Sequence, residues 1–287
     1  MSAAKIVIVG SANLDLVAAC ESLPAPGETV TGASYAEYPG GKGANQTLAA
    51  RRLGAEVSMV ARVGTDANAE KALALLRADG VDLSRIIEDE NAPTGVALIA
   101  VDAAGENMIV VASGANAHLE PRDVAGAGPA DAVLCQLEVP LGAIEAAATI
   151  DTGLFAINLA PAMPVPAELL ERADLLIANE AEAEFYGDAL YRGSGLVAVT
   201  LGGEGAILYR EGQEVARMPV YAVPVIDTVG AGDTFCGALA VALAEGMEDG
   251  AALRFASAAG ALAVTREGAQ PSLPWREEVE AFLKDKA

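Results

Sequence analysis

Ile6-Val7-Ile8-Val9-Gly10-Ser11-Ala12-Asn13-Leu14-Asp15 is the stretch from which the fold is read. Four consecutive apolar residues form a short run with no helical period, which reads as a first strand of a covered sheet. A dinucleotide-binding turn after such a strand would read G-x-G-x-x-G. This chain has Gly-Ser-Ala-Asn-Leu-Asp instead, so NAD binding is disfavoured. A polar pair, Asn13 and Asp15, emerges just past the carboxyl end of the strand, where open α/β sheets bind ligands. An amide and a carboxylate two residues apart can grip adjacent hydroxyls, although a simple turn would use the same residues.

Moving outward, β-rich runs alternate with Ala-rich stretches. Residues 6–9, 57–60, 132–137, 154–158, 175–178, 196–200 and 206–209 read as strands. Helical patterns fall near 43–53, 68–78, 140–149, 181–186, 234–245 and 247–264. Strand–helix alternation predicts an α/β fold of three layers, a mostly parallel sheet with helices on both faces. Two segments break the rhythm. Residues 17–38 are rich in Pro, Gly, Thr and Tyr, and 94–112 alternate around the turn Asp102-Ala103-Ala104-Gly105-Glu106-Asn107, a hairpin pattern. Together, strands within about 14–40 and 94–112 are expected to make a small separate β-sheet lid. No repeat or long linker divides residues 1–287, so one domain is expected.

Composition narrows the function. The chain has 287 residues, 53% of them hydrophobic, enough for a sizeable core. Aromatics are only 4%, which leaves few platforms for stacking single-stranded nucleic acid. Lys and Arg total 18 against 40 Asp and Glu, a net charge of −22. Such a surface repels nucleic acid and anionic membranes, so no partner of either kind is expected. A nucleotide site would have to be local, built from amides, a few cations and a metal ion. Cys20, Cys135 and Cys236 are scattered, which disfavours a disulfide framework or a structural zinc site. The single histidine, His118, has no evident partner and reads as a surface residue. No signal-peptide core or membrane span is apparent, and a reducing cytoplasmic setting is expected.

Asp227-Thr228-Val229-Gly230-Ala231-Gly232-Asp233-Thr234-Phe235 is the most chemical segment. Gly230, Ala231 and Gly232 leave backbone N–H groups uncovered at the start of an apolar helix, a place suited to anions. Asp233 is itself an anion there and is better suited to taking a proton from a hydroxyl than to gripping phosphate. The pairing suggests phosphoryl transfer to an alcohol. A helix cap would use Asp equally well. A second segment, Pro39-Gly40-Gly41-Lys42-Gly43-Ala44-Asn45-Gln46, fails the Walker pattern because Ala36 and Gly43 replace its Gly and Ser/Thr. It still offers amides, a cation and Asn45 at a helix start.

These two segments resemble the signature regions of the ribokinase-like carbohydrate kinase family. Further matches lie at Pro26-Gly27-Glu28-Thr29-Val30, Thr94–Ile99, Gln136-Leu137-Glu138, Asn179-Glu180-Ala181-Glu182, Ala263–Arg266 and Gly268–Ser272, in order along almost the whole chain. The resemblance implies ATP as donor and a sugar hydroxyl as acceptor, with D-ribose as the expected substrate and D-ribose 5-phosphate as product. It implies that Asn13, Asp15, Gly41, Lys42, Asn45 and Glu138 bind the sugar. Asp233 is the implied base, and Gly230, Ala231 and Gly232 the implied anion hole. Asn179 and Glu182 would organise the Mg²⁺–phosphate end of ATP, although their spacing also suits an ordinary acidic helix start. Thr200, Gly202, Gly205, Gly232 and Ser257 would contact the nucleotide.

The resemblance also implies a K⁺ activator, held by Asp227, the carbonyls of Val229, Ala263, Arg266 and Gly268, and the Ser272 hydroxyl. A homodimer through the lid is a further expectation. One departure stands out. Residues 183–195 are too few for the additional helix usual in relatives, so a flatter flank near the nucleotide is expected. Two other readings stay open: a kinase for deoxyribose, another sugar or a nucleoside, and a sugar-binding regulator without catalysis.

Overall fold

The computed structural model describes residues 3–193 and 195–286. Its strands, in chain order, are β1 (Lys5–Val9), β2 (Asn13–Ala19), β3 (Ser34–Gly40), β4 (Glu56–Gly64), β5 (Asp82–Asp89), β6 (Gly95–Val101), β7 (Asn107–Ala112), β8 (Ala130–Gln136), β9 (Thr152–Asn158), β10 (Leu175–Asn179), β11 (Leu196–Thr200), β12 (Ala206–Arg210) and β13 (Gln213–Met218). Nine of them form one sheet in the order β13-β12-β11-β10-β9-β8-β1-β4-β5. All neighbours from β5 to β11 are parallel, and β12 and β13 complete one edge antiparallel.

The period of two along β1 builds the layers. Ile6 and Ile8 face one core, with Leu134 of β8 and with Phe235, Leu239 and Leu253 of helices Ala231–Ala244 and Asp249–Ala263. Val7 and Val9 face the opposite core, with Phe155, Ile157, Ile144 and Leu169. Both faces are therefore covered and the mostly parallel three-layer fold is observed. Helix Ala231–Ala244 lies close against helix Lys42–Arg52: a Cβ on Gly237 would stand 2.9 Å from both Ala49 Cβ and the Gln46 carbonyl oxygen. The chain passes from β1 to β4 and β5 on one side, then returns to β8 on the other. That reversal opens a crevice at the carboxyl ends of β1 and β8.

The small separate sheet is also observed, in the order β3-β2-β6-β7. β2 runs antiparallel to β3 and parallel to β6, and β6 and β7 form the expected hairpin. Its turn is closed by Asp102, whose Oδ1 accepts the N–H groups of Ala104 and Glu106.

Several details differ from the sequence reading. The pattern at 68–78 is two short helices, Ala67–Ala72 and Ala74–Ala78. The sheet gains β5 and β13 at its two edges, and the chain ends with a further helix, Arg276–Asp285. After helix Glu180–Tyr186 only a 3₁₀ turn, Gly187–Tyr191, precedes β11, so no second α-helix stands there among the described residues. His118 is half-exposed but not partnerless. The 3₁₀ turn Gly114–His118 brings its Nδ1 to 2.9 Å from Asp89 Oδ2 at the end of β5, and Arg62 reaches the same oxygen at 3.2 Å. The partner lies 29 residues away, out of reach of local pattern.

Candidate active site

The crevice gathers side chains from strand ends that are far apart in sequence. Helix Lys42–Arg52 starts directly over the end of β1. Gly41 caps it at φ 87°, and a Cβ there would stand 2.8 Å from the Asn13 backbone nitrogen, so both conformation and space call for glycine. Glu138 fastens this helix start: one carboxylate oxygen accepts the Lys42 N–H at 3.0 Å and the Ser11 hydroxyl. A carboxylate at a helix N-terminus is favoured by the exposed amides. Ser11 in turn accepts the Gly43 N–H at 3.2 Å. Glu138 thus supports the loop that carries Lys42 as well as bordering the site. Asn13 is buried, and its Oδ1 accepts from Asn116 Nδ2 at 2.7 Å. Asn116 is itself pinned by the Ala12 N–H, which donates to its Oδ1 at 3.0 Å.

Asp233 comes from the opposite wall. Gly230 takes the left-handed conformation, φ 80°, at the start of helix Ala231–Ala244, and Asp233 occupies its first turn with 9% exposure. Its carboxylate turns to the neighbouring helix rather than to its own end. Oδ2 accepts from Asn45 Nδ2 and Oδ1 from Gln46 Nε2, each at 2.9 Å. Charge is concentrated here. Burial, with Glu138 and Asp233 adding repulsion, pushes the Asp15 carboxyl up to about 7, while Lys42 opposes the shift. Lys42 is held protonated above the ordinary lysine range, first by Asp233. Burial also raises the Glu182 carboxyl. A site with more carboxylates than cations suits neutral hydroxyl donors and bound cations.

A cleft of about 160 Å³ is lined by Lys42, Asn158, Asn179, Glu182, Gly230 and Asp233. Asn179 and Glu182 cap one another's backbone: Asn179 N donates to Glu182 Oε2 at 2.8 Å and Glu182 N to Asn179 Oδ1 at 2.9 Å. The helix-start reading of this pair is realised, and it places the pair beside Lys42 and Asp233. A larger cavity, about 390 Å³, adjoins and shares Thr200 and Gly232 with the cleft. Gly202, Gly205 and Ser257 line it too, so all five residues expected at the nucleotide meet there. Tyr221 also lines it, and the buried hydroxyls of Ser257 and Tyr221 have no hydrogen-bond partner among the described residues.

Behind the Gly230 turn two loops lie together. Asp227 Oδ1 accepts the Val229 N–H and Oδ2 the Gly268 N–H, each at 2.9 Å. Ala263 O accepts the Arg266 N–H at 3.3 Å, and the Ser272 hydroxyl donates to Ala269 O at 2.8 Å. A Cβ on Gly230 would stand 3.0 Å from Ala269 Cα. The oxygen-rich pair of loops therefore touches the amide turn itself, and its donor types fit a hard monovalent cation.

A model of the pfkB family of carbohydrate kinases matches residues 3–276. The chain belongs to this family. Among its relatives, ribokinase of Bacillus subtilis is 39% identical over 97% of this chain and 99% of its own length. Ribokinase of Haemophilus influenzae is 37% identical over 97% and 98%. The solved ribokinase of Thermotoga maritima superposes with a TM-score of 0.89 at 35% identity, covering 98% of this chain and 99% of its own. Arabidopsis thaliana ribokinase, solved with ribose and ATP, gives 0.87 at 32% identity with the same coverage.

Sequence reasoning assigned no role to Ser11, Gln46, Asn116 or Gln136. Ser11, Gln46 and Gln136 stood inside quoted segments, but a buried polar side chain announces nothing until its partner is seen. Ser11 and Asn116 act on Lys42 and Asn13 only through the folded turn.

Proposed function

We infer that this chain is an ATP-dependent D-ribose kinase that makes D-ribose 5-phosphate and ADP. The observation that carries the reading is the placement of Asp233. Its carboxylate, braced by Asn45 and Gln46, lies in the first turn of helix Ala231–Ala244 and lines the cleft of Lys42, Asn179 and Glu182, which adjoins the large cavity of Thr200 and Ser257. Asn13, Asp15, Lys42 and Asn45 hold the sugar hydroxyls, with Gly41 allowing close approach and Glu138 steadying the loop. Each fixed polar contact penalises a sugar that lacks its hydroxyl. Asp233 accepts the proton of the primary hydroxyl. That oxygen forms a bond to the γ-phosphorus while the bond from the γ-phosphorus to the β–γ bridging oxygen breaks, and ADP leaves. The amides of Gly230 and Gly232, with Lys42, face the charge that develops on the moving group, whereas the Ala231 N–H, expected to join them, donates to the Thr228 carbonyl at 3.3 Å.

Asn179 and Glu182 are the residues that would hold Mg²⁺ at the phosphate end. The buried Glu182 carboxyl, unfavourable as an anion in isolation, fits a nearby divalent cation. Bound Mg²⁺ would neutralise phosphate charge. Residues 227–229 and 263–272 supply the oxygen set suited to K⁺, which would stiffen the adjoining turn. Turnover in K⁺ should exceed that in Na⁺ or without alkali ion, and equal rates in all three would remove this role. The exposed apolar face of the small sheet supports a homodimer through a lid, in a cytoplasmic setting that keeps the three cysteines free.

Coupled ADP release with MgATP, offered D-ribose, 2-deoxyribose, fructose and adenosine side by side, tests the reading. Strong preference for ribose is the expected result. Turnover only on another acceptor would keep the chemistry and discard ribose; absence of turnover on all would favour a sugar-binding regulator.

A further inference from the structure

Behind Asp233 runs a chain of buried amides that sugar and nucleotide binding do not explain. Gln46 Nε2 donates to Asp233 Oδ1 at 2.9 Å, and Gln136 Nε2 donates to Gln46 Oε1 at 2.7 Å. Both glutamines are fully buried. They come from different layers: Gln46 from helix Lys42–Arg52 and Gln136 from the last position of β8. The polarity of the chain follows from chemistry alone. An ionised carboxylate only accepts, so Gln46 must present its nitrogen to Asp233. That turns the Gln46 oxygen away, and Gln136 must then present its own nitrogen. The last oxygen in the chain, Gln136 Oε1, is buried with no donor among the described residues. It occupies the space that a side chain on residue 10 would take, since a Cβ on Gly10 would stand 1.9 Å from it. An unmet buried acceptor is unfavourable, and it is tolerated here at the end of a chain whose other end is the proposed base.

We propose that Gln46 and Gln136 are positioning residues for the phosphoryl-transfer step. Gln46 fixes the rotation of the Asp233 carboxylate, and Gln136 fixes which way the Gln46 amide faces. Neither touches the reacting atoms. This proposal rests on Asp233 as the base, and three substitutions keep the two ideas separable. Gln46→Met and Gln136→Met retain volume and remove the hydrogen bonds; Asp233→Asn removes the base.

Steady-state kinetics of the full chain with D-ribose and MgATP are the test, with thermal melting to show that each variant is folded. Gln46→Met is expected to lower kcat roughly 10- to 100-fold, the scale for a misplaced reacting group, while KM for ribose and ATP stays within about 3-fold. Gln136→Met should shift kcat in the same direction by less. In the Asp233→Asn background, Gln46→Met should cost nothing further, because the group it positions is gone. Normal kcat in Gln46→Met beside a disabled Asp233→Asn would overturn the brace and leave the base intact. An equal loss from Gln46→Met in both backgrounds would overturn it as well. Near-normal kcat in Asp233→Asn would reject the base itself. Should Gln46→Met not fold, the same comparison made with Gln136→Met decides: a kcat loss confined to the Asp233 background supports the brace, and no loss, or an equal loss in both, overturns it.

Discussion

At the residue scale two carboxylates carry the proposed chemistry, one oriented by amides and one shifted by burial. Asp233 accepts from two side-chain amides, Asn45 and Gln46, which fix the direction its carboxylate faces. Replacing it by Asn should lower kcat at least ~10²-fold while ribose still binds, the scale for losing a general base. Single-turnover kinetics beside ribose calorimetry would separate the two effects, and a nearly unchanged kcat would refute the assignment. Asp15 is governed by its surroundings in another way. Burial first, then Glu138 and Asp233, raise it to about 7, so in the free protein it takes up a proton as pH falls through neutrality. A protonated carboxyl has less capacity to accept sugar hydroxyls, so protons and ribose compete. KM for ribose should therefore rise as pH drops from 8 to 6, and Asp15→Asn should raise KM and flatten that dependence. The same sign governs the free protein's stability: the folded state holds this proton more tightly than an unfolded Asp, so the group disfavours folding increasingly as pH rises from about 4 to about 7. A KM that is constant with pH in the parent protein would count against Asp15 as an ionised sugar ligand.

At the element scale two helices must approach closely for Asn45 and Gln46 to reach Asp233. Gly237 makes the crossing possible, since a Cβ there would meet Ala49 Cβ and the Gln46 carbonyl at 2.9 Å. In an exposed helix Gly→Ala would stabilise by about 1 kcal/mol. Here overpacking opposes that gain, and Gly237→Ala should destabilise by about 1–3 kcal/mol in urea melts and lower kcat by parting the helices. A stabilised variant with full activity would show that the crossing can relax. Element scale also explains what the sequence disclosed. β1 and β8–β12 are apolar runs buried in the sheet interior, which local composition reveals. β5 and β13 are the two edges, with polar residues such as Asp82, Ser84, Arg85, Gln213 and Glu214, so their pattern is weak although their pairing is firm. The site divides in the same way. Asn13, Asp15, Lys42, Asn45 and Asp233 belong to segments with a readable chemistry. Gln46 meets Asp233 across 187 residues and Gln136 meets Gln46 across 90, distances at which only the fold supplies the partner.

At the scale of the whole molecule, the acidic surface and the small sheet make opposing demands. A net charge of −22 keeps copies of the chain apart in dilute salt. Yet β7 lies at the edge of its sheet with every residue exposed, and Met108, Ile109, Val110 and Val111 stand in a row on it. An apolar edge strand left bare is a liability in a monomer and an asset in an interface. Tyr35 of β3, at the opposite edge, and Leu98 of β6 extend the apolar exposure over the same sheet. Successive residues alternate faces, so pairing of this sheet with that of a second copy would cover Met108, Val110 and Leu98 on the face away from Asp15 and hold β2, with Asp15, over the sugar. Val110 is 64% exposed, so Val110→Lys should leave folding of the protomer intact. Sedimentation at near-physiological salt should show a dimer for the parent chain and a monomer for this variant. Salt should strengthen the parent dimer by screening its charge, which distinguishes apolar pairing from an ion-paired contact. KM for ribose should rise in the monomer, because the sheet that carries Asp15 loses its support. A parent chain that sediments as a monomer across these salt concentrations would require the exposed row to be covered in another way.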